Sequence, residues 1–197
     1  MRRIVLASTN RGKIEEIKAI LAPMGWEITS LNAYPGFPEI EEHGATFEEN
    51  AVHKARFTAS FTGEIAMADD SGLEVDYLSG APGVFSARFA GEPANDTANN
   101  NKLLNLLEGV PYEKRTARFR CVIAVATPEG KILTTEGKCE GYILTEPRGT
   151  GGFGYDPLFY YPECQKTFAE VAPGDKNRVS HRARALAKIK EALVNFV

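Results

Sequence analysis

Asp69 and Asp70 stand side by side at the end of the apolar run Ile65-Ala66-Met67-Ala68, and Ser71-Gly72 leads from them into the alternating Leu73-Glu74-Val75-Asp76-Tyr77-Leu78. The run and the alternation both read as strand, so the chain has to place two adjacent carboxylates in or beside a sheet. Ser-Gly permits a sharp turn, which would hold at least one carboxylate at a strand end, where ligands bind in α/β sheets. Oxygen donors of this kind suit Mg²⁺ or Mn²⁺. All four residues are also turn formers, and a solvated turn between two strands is the competing reading.

The chain has 197 residues and a formal charge of −3. That length suits a single domain over residues 1–197, or a core with a smaller lobe. The slight negative charge argues against a surface that tracks nucleic acid, and no run reaches the apolar length of a membrane helix, so neither is expected as a partner. The chain enters Ile4-Val5-Leu6-Ala7 after two arginines and without an apolar signal segment, so the expected location is cytoplasmic. Cys121, Cys139 and Cys164 have no paired spacing for zinc or redox chemistry and are expected as thiols, Cys121 within the core. Lys176, Arg178, Arg182, Arg184, Lys188 and Lys190 crowd the C-terminal end, either solvating a helix or meeting a small local anion.

Residues 4–7 read as a buried strand, and 13–21 have apolar residues at helical spacing. Between them, Ser8-Thr9-Asn10-Arg11-Gly12-Lys13 joins a strand to a helix start, where backbone N–H groups and the dipole favour an anion and Lys13 adds a charge. An ordinary helix entry capped by Ser8, Thr9 or Asn10 fits equally well. Because Ile14 follows Lys13, this is not a Walker A loop. Residues 26–30 suggest a second strand and 32–38 a loop rich in Pro, Gly and aromatics. Glu39-Ile40-Glu41-Glu42-His43 precedes a helix that starts with the Thr46–Glu49 capping box and runs from residue 47 to about 62. Acidic residues there ordinarily serve the dipole, and a metal role for Glu41 or Glu42 requires this loop to lie beside Asp70.

Residues 80–91 form a loop too apolar for a plain linker, and 99–108 read as a helix that buries Leu103, Leu104, Leu106 and Leu107 before Gly109 stops it. Residues 118–127 and 131–135 flank a hairpin turn, and 141–145 suggest another strand. In Gly149-Thr150-Gly151-Gly152-Phe153-Gly154-Tyr155-Asp156 the glycines allow close approach of a ligand, and Phe153 either stacks a planar base or folds into the core. Residues 173–178 lead into a helix capped by Asn177 or Ser180. Lys176, His181 and Arg182 then fall near its N-terminus, where the dipole disfavours positive charge and an anion or acceptor would explain them.

The five blocks at residues 8–13, 68–73, 80–91, 151–157 and 180–182, in this order, closely resemble the inosine triphosphate pyrophosphatase family, the non-canonical purine or dITP/XTP pyrophosphatases. The first block carries Thr9 where that family usually has glycine. The resemblance implies a mixed α/β fold with an elongated central mixed sheet flanked by helices, two lobes with an active-site cleft between them, and a homodimer. It implies Mg²⁺-dependent hydrolysis of a nucleoside triphosphate to monophosphate and pyrophosphate. By motif, Ser8, Thr9, Asn10, Arg11, Gly12 and Lys13 bind substrate, with Asn10 and Lys13 on the phosphates. Asp70 is general base and metal ligand, with Glu41 as a second ligand and Glu42 or Asp69 as alternatives, and Ser71 contacts substrate. Phe153, Gly154, Tyr155, Asp156, Lys176, His181 and Arg182 form the nucleotide and base pocket. The last three side chains, donor-only when His181 is protonated, would reward the C6 oxygen of hypoxanthine and xanthine and leave the adenine amino group unpaired.

Overall fold

The computed structural model describes residues 3–196. Seven strands form one mixed sheet in the order β2-β1-β3-β4-β5-β6-β7. They are β1 (Arg3–Leu6), β2 (Glu27–Ser30), β3 (Ala66–Val75), β4 (Thr116–Ala126), β5 (Ile132–Ile143), β6 (Phe159–Tyr161) and β7 (Lys166–Thr167). The β1 strand pairs in parallel with β2 and β3, and β6 pairs antiparallel with β5 and β7. Five α-helices accompany them among the described residues: α1 (Arg11–Leu21), α2 (Phe47–Thr62), α3 (Asp96–Leu106), α4 (Pro173–Val179) and α5 (His181–Phe196). None is long and apolar enough to cross a membrane.

The chain divides into two compact units, and the division falls within β3, β4 and β5. The first comprises Met1–Asp70, Cys121–Gly137 and His181–Val197. Its core gathers Ile4 and Leu6 of β1, Ile17 and Leu21 of α1, Cys121, Ile123 and Val125 of β4, and Leu186, Ile189 and Leu193 of α5. The second comprises Ser71–Arg120 and Lys138–Ser180. Its core is more aromatic, with Phe119, Phe159 and Phe168 in mutual ring contact beside Leu103, Leu107 and Ile143.

Local chemistry sets the element ends. Asn10 caps α1 by accepting the Lys13 N–H at 3.0 Å. Thr46 caps α2 by accepting the Glu49 N–H, and Glu49 reaches back to the Ala45 N–H, so the expected capping box closes one residue early. Glycine at the left-handed C-cap, Gly63, ends that helix.

Four expectations change. No turn follows Asp70, because β3, which begins beside β1 at Ala66 and Met67, runs unbroken through Asp69-Asp70-Ser71-Gly72. The α3 helix starts three residues before the expected position, at Asp96, and it leaves Leu106 exposed while burying Leu103 and Leu107. Residues 141–143 are the end of β5 and not a separate strand. Residues 173–179 form a helix, α4, and Ser180 in extended conformation separates it from α5, so Lys176 lies in the last turn of α4, where the dipole favours a cation.

Arg115, at the foot of β4, is buried, and its guanidinium donates to the carbonyls of Ile143 (2.7 Å), Leu107 (2.6 Å) and Leu144 (2.8 Å). It thereby joins the segment after α3 to the end of β5 through their backbone carbonyls. Arg115→Met is expected to cost about 3 kcal/mol in urea unfolding, since three hydrogen bonds from one buried charged group are lost at once.

Candidate active site

The alternation of a strand decides what two adjacent carboxylates can do. Successive side chains of β3 point to opposite faces, so Asp69 and Asp70 cannot act as a facing pair. Their partners differ accordingly: Asp69 meets residues of α1, α5 and β4, and Asp70 meets residues of α2.

Asp69 is 2% exposed and sits among cations. Lys13 Nζ of α1 lies 2.7 Å from Oδ1, and Arg182 Nε of α5 donates to Oδ2 at 2.8 Å. The Cys121 thiol donates to the same Oδ2, and Arg182 also pairs with Glu16 of α1. Burial alone would push the Asp69 carboxyl up, but Arg182 and Lys13 outweigh it and hold it well below the usual carboxylate range. Arg182 is itself 1% exposed, so its guanidinium ties α5 to α1 and β3. Close approach of β5 seats this corner. A Cβ on Gly137 would strike the His181 carbonyl and the Ala185 amide, and Thr135 Oγ1 donates to the Ala185 carbonyl at 2.9 Å.

Asp70 faces the buried side of α2. Asn50 and Lys54, four residues apart and on the same face as Ala51 and Ala55, turn inward. Asn50 Nδ2 donates to Asp70 Oδ2 at 3.1 Å, and Lys54 Nζ lies 3.3 Å from Oδ1, 2.5 Å from Glu42 Oε1 and 2.9 Å from the Asp69 carbonyl. Asn50 also accepts the Gly44 N–H at 2.7 Å, which fixes the loop before the helix. Burial pushes the Asp70 carboxyl up, and Lys54 and Lys13 offset that only in part, so it stays above its ordinary value. Burial lowers the Lys54 ammonium, yet Asp70 and Glu42 together raise it.

The acid that the structure brings to Asp70 is therefore Glu42. Glu41, the expected ligand, projects into solvent and bonds His43 at 2.7 Å. Among the described residues no group of three or more His, Cys, Asp or Glu side chains is placed to hold a metal by itself. Asp70 and Glu42 each turn a carboxylate oxygen toward the Lys54 ammonium, and they are the hard oxygen donors that would suit a cation such as Mg²⁺. Asn50 and Lys54 escaped the sequence reading, and the available signal was polar side chains falling on the apolar stripe of a helix.

Of the first loop, Thr9, Asn10 and Arg11 are exposed at the start of α1, Arg11 pairing with Glu15. Ser8 accepts the Asn10 N–H at 3.2 Å, so capping and an open helix start coexist here. Ser71 is a half-buried residue of β3.

In the second unit the glycine-rich loop folds around Asp156. Its carboxylate, 2% exposed, accepts the Phe153 N–H at 3.0 Å and the Lys176 ammonium at 2.5 Å. Gly152, at φ +70°, passes so close that a Cβ would strike that carboxylate. Phe153 stays half-buried, with Lys176 Nζ 4.9 Å from its ring centroid. Tyr155 is buried and donates to the Ser86 carbonyl at 2.7 Å. Asp156 and Tyr155 thus build the loop from beneath, while Phe153 and Gly154 retain exposed surface.

A seven-stranded mixed sheet carrying one carboxylate beside a lysine and another locked in an ion network defines an α/β protein with a built polar site on an inner strand. Residues 4–192 match the sequence model of the Ham1 family, and the chain belongs to that family. It is 61% identical to the dITP/XTP pyrophosphatase of Desulforamulus reducens over 97% of this chain and 95% of that one. It is 57% identical to the dITP/XTP pyrophosphatase of Geobacter sulfurreducens, covering 98% and 97%. The solved structure of a HAM1 protein from Coxiella burnetii superposes with a TM-score of 0.89 at 44% identity, over 98% of this chain and 99% of that one.

Because Asp69 is held below the usual range, its stabilisation is complete above the pKa of an unfolded aspartate, about 3.9, and is lost as pH falls through the depressed value. Asp69→Asn should cost about 3–5 kcal/mol at pH 7, leaving Arg182 and Lys13 without their shared anion. Its stability should also fall less steeply than the wild type's as the pH drops below 4, read by urea unfolding at each pH.

Proposed function

We propose that this chain hydrolyses non-canonical purine nucleoside triphosphates, dITP, XTP and ITP, to the monophosphate and pyrophosphate. The carrying observation is Asp70, a carboxylate fixed by Asn50 and Lys54 whose affinity for a proton is raised by burial. Identity of 49–61% to several dITP/XTP pyrophosphatases over nearly full length supports the substrate class.

The reaction needs an oriented water, a base to take its proton, and neutralised phosphate charge. Asp70 accepts the proton as the water oxygen bonds the α-phosphorus and the bond from that phosphorus to the bridging oxygen breaks, releasing pyrophosphate. Lys13 spends one of its three N–H donors on Asp69 and offers the others to phosphate oxygens, beside the open N–H groups of α1. Asp70 and Glu42 are the residues that would hold Mg²⁺, which supplies charge neutralisation on the phosphate chain when bound. Phe153 gives the base a stacking surface. Lys176 is a donor suited to a C6 oxygen, and the His181 ring would add one, whereas Arg182 is better read as the support of Asp69 and Lys13. Thiol cysteines and a nucleotide-pool substrate suit the cytoplasm. A homodimer, implied by the family resemblance, is checked by the mass from light scattering.

Phosphorus NMR of dITP with the protein and Mg²⁺ should show monophosphate and pyrophosphate, with ATP and GTP little changed. Orthophosphate plus diphosphate would overturn attack at the α-phosphorus, and binding without product would leave a nucleotide-binding module. Asp70→Asn should lower kcat about 10³-fold while nucleotide still binds. Since the base acts deprotonated, kcat/KM should fall as pH drops through a pKa above the ordinary aspartate value. Lys54→Met, which removes a charge that lowers that pKa, should move this acid limb to higher pH.

A further inference from the structure

We propose that Asp96 and Asn100 of α3 are positioning residues for base recognition, acting through Gly154. This rests on the reading that Phe153 and Gly154 seat the base. Asp96 Oδ2 accepts the Gly154 N–H at 2.7 Å, and Asn100 Nδ2 donates to the Gly154 carbonyl at 2.9 Å. One helix thus grips both polar groups of a single glycine. The side chains are four residues apart, so they lie one turn above the other on the same face of α3.

The grip falls where the loop has least stiffness of its own. Gly149, Gly152 and Gly154 all have positive φ, and a glycine-rich backbone loses much entropy when it is ordered. The neighbours are fixed from elsewhere: Phe153 by the carboxylate of Asp156 through its N–H, and Tyr155 by the Ser86 carbonyl through its hydroxyl. Without α3, the peptide between them would be free to rotate, and the half-buried ring of Phe153 would turn with it. The Asp96 bond is charge-assisted and goes beyond capping, because Asn95 already caps α3 by accepting the Ala98 N–H. Asp96 is exposed, so a substitution there removes the bond without opening the core.

The test compares Asp96→Ala, Asp96→Asn and Asn100→Leu with wild type in dITP hydrolysis, together with hydrogen exchange at the Gly154 amide in the nucleotide-free protein. Asp96→Ala should quicken Gly154 exchange and raise KM about fivefold to tenfold with kcat within about twofold. Inhibition by inorganic pyrophosphate, which reports the phosphate side, should be unchanged. Asp96→Asn keeps an acceptor oxygen and should restore both slow exchange and KM. Asn100→Leu should raise KM as Asp96→Ala does. Unchanged KM in Asp96→Ala, equal losses in kcat and in pyrophosphate inhibition, or failure of Asp96→Asn to rescue would overturn the proposal. A wild-type protein that left dITP intact would sink the functional reading instead, and slow Gly154 exchange in Asp96→Ala would then sink the grip on its own.

Discussion

Everything in the first unit depends on β3 staying extended through Asp69 and Asp70. A strand sends neighbouring side chains to opposite faces, so two carboxylates that look alike in sequence acquire opposite electrostatics. One is held by Arg182 and Lys13, which keep its carboxyl well below the usual carboxylate range. The other meets Lys54 at longer range, and burial makes it hold a proton more tightly than an ordinary aspartate does. A turn at this point, with both side chains in water, would have given two ordinary aspartates. The sheet therefore does the chemical differentiation, and the helices on each face supply the partners.

The second unit solves a different problem, namely how to hold a loop that must be thin. Gly152 exists because Asp156 lies directly under it, and a loop with so many glycines needs outside anchors. Lys176 reaches Asp156 from α4, Ser86 takes the Tyr155 hydroxyl, and α3 takes both sides of Gly154. Arg115 in turn fixes the segment following α3 through its carbonyls. Several of these anchors run from a side chain to the loop backbone, and the Gly151 N–H adds a backbone bond to the Ala169 carbonyl, which suits a loop with few side chains of its own.

Much of this was legible in the sequence, and the failures share a cause. Hydrophobic spacing and the Thr46–Glu49 box gave α1 and α2 closely, because their signals are local. Asp69-Asp70-Ser71-Gly72 read as a turn because each residue favours one in isolation, whereas here the strand context keeps the backbone extended. Lys54 and Asn50 stayed hidden because a lysine on a helix is ordinarily solvated, and only the identity of what α2 packs against shows that they point inward. Glu41 and Glu42 could not be separated from spacing, since the loop that carries them is irregular and the choice rests on which one reaches Lys54. Arg182 carried a motif but not a partner: Glu16 and Asp69 are 166 and 113 residues away.

Burying Arg182, Asp69 and Glu16 together is an expensive way to stabilise a fold, since apolar residues of similar volume often do as well or better. The arrangement makes sense once Lys13 is included. An ammonium on a four-carbon stem loses rotamer entropy when it is fixed on a ligand. Asp69, itself pinned by Arg182, fixes it beforehand at the start of α1. An apolar core in that corner would match the stability and lose the preorganised cation, and a lysine free to swing would meet an anion at a higher entropic cost. Under the proposed function the network is stability spent on one charge, with Asp69 acting through Lys13 and its neighbour Asp70 as the base.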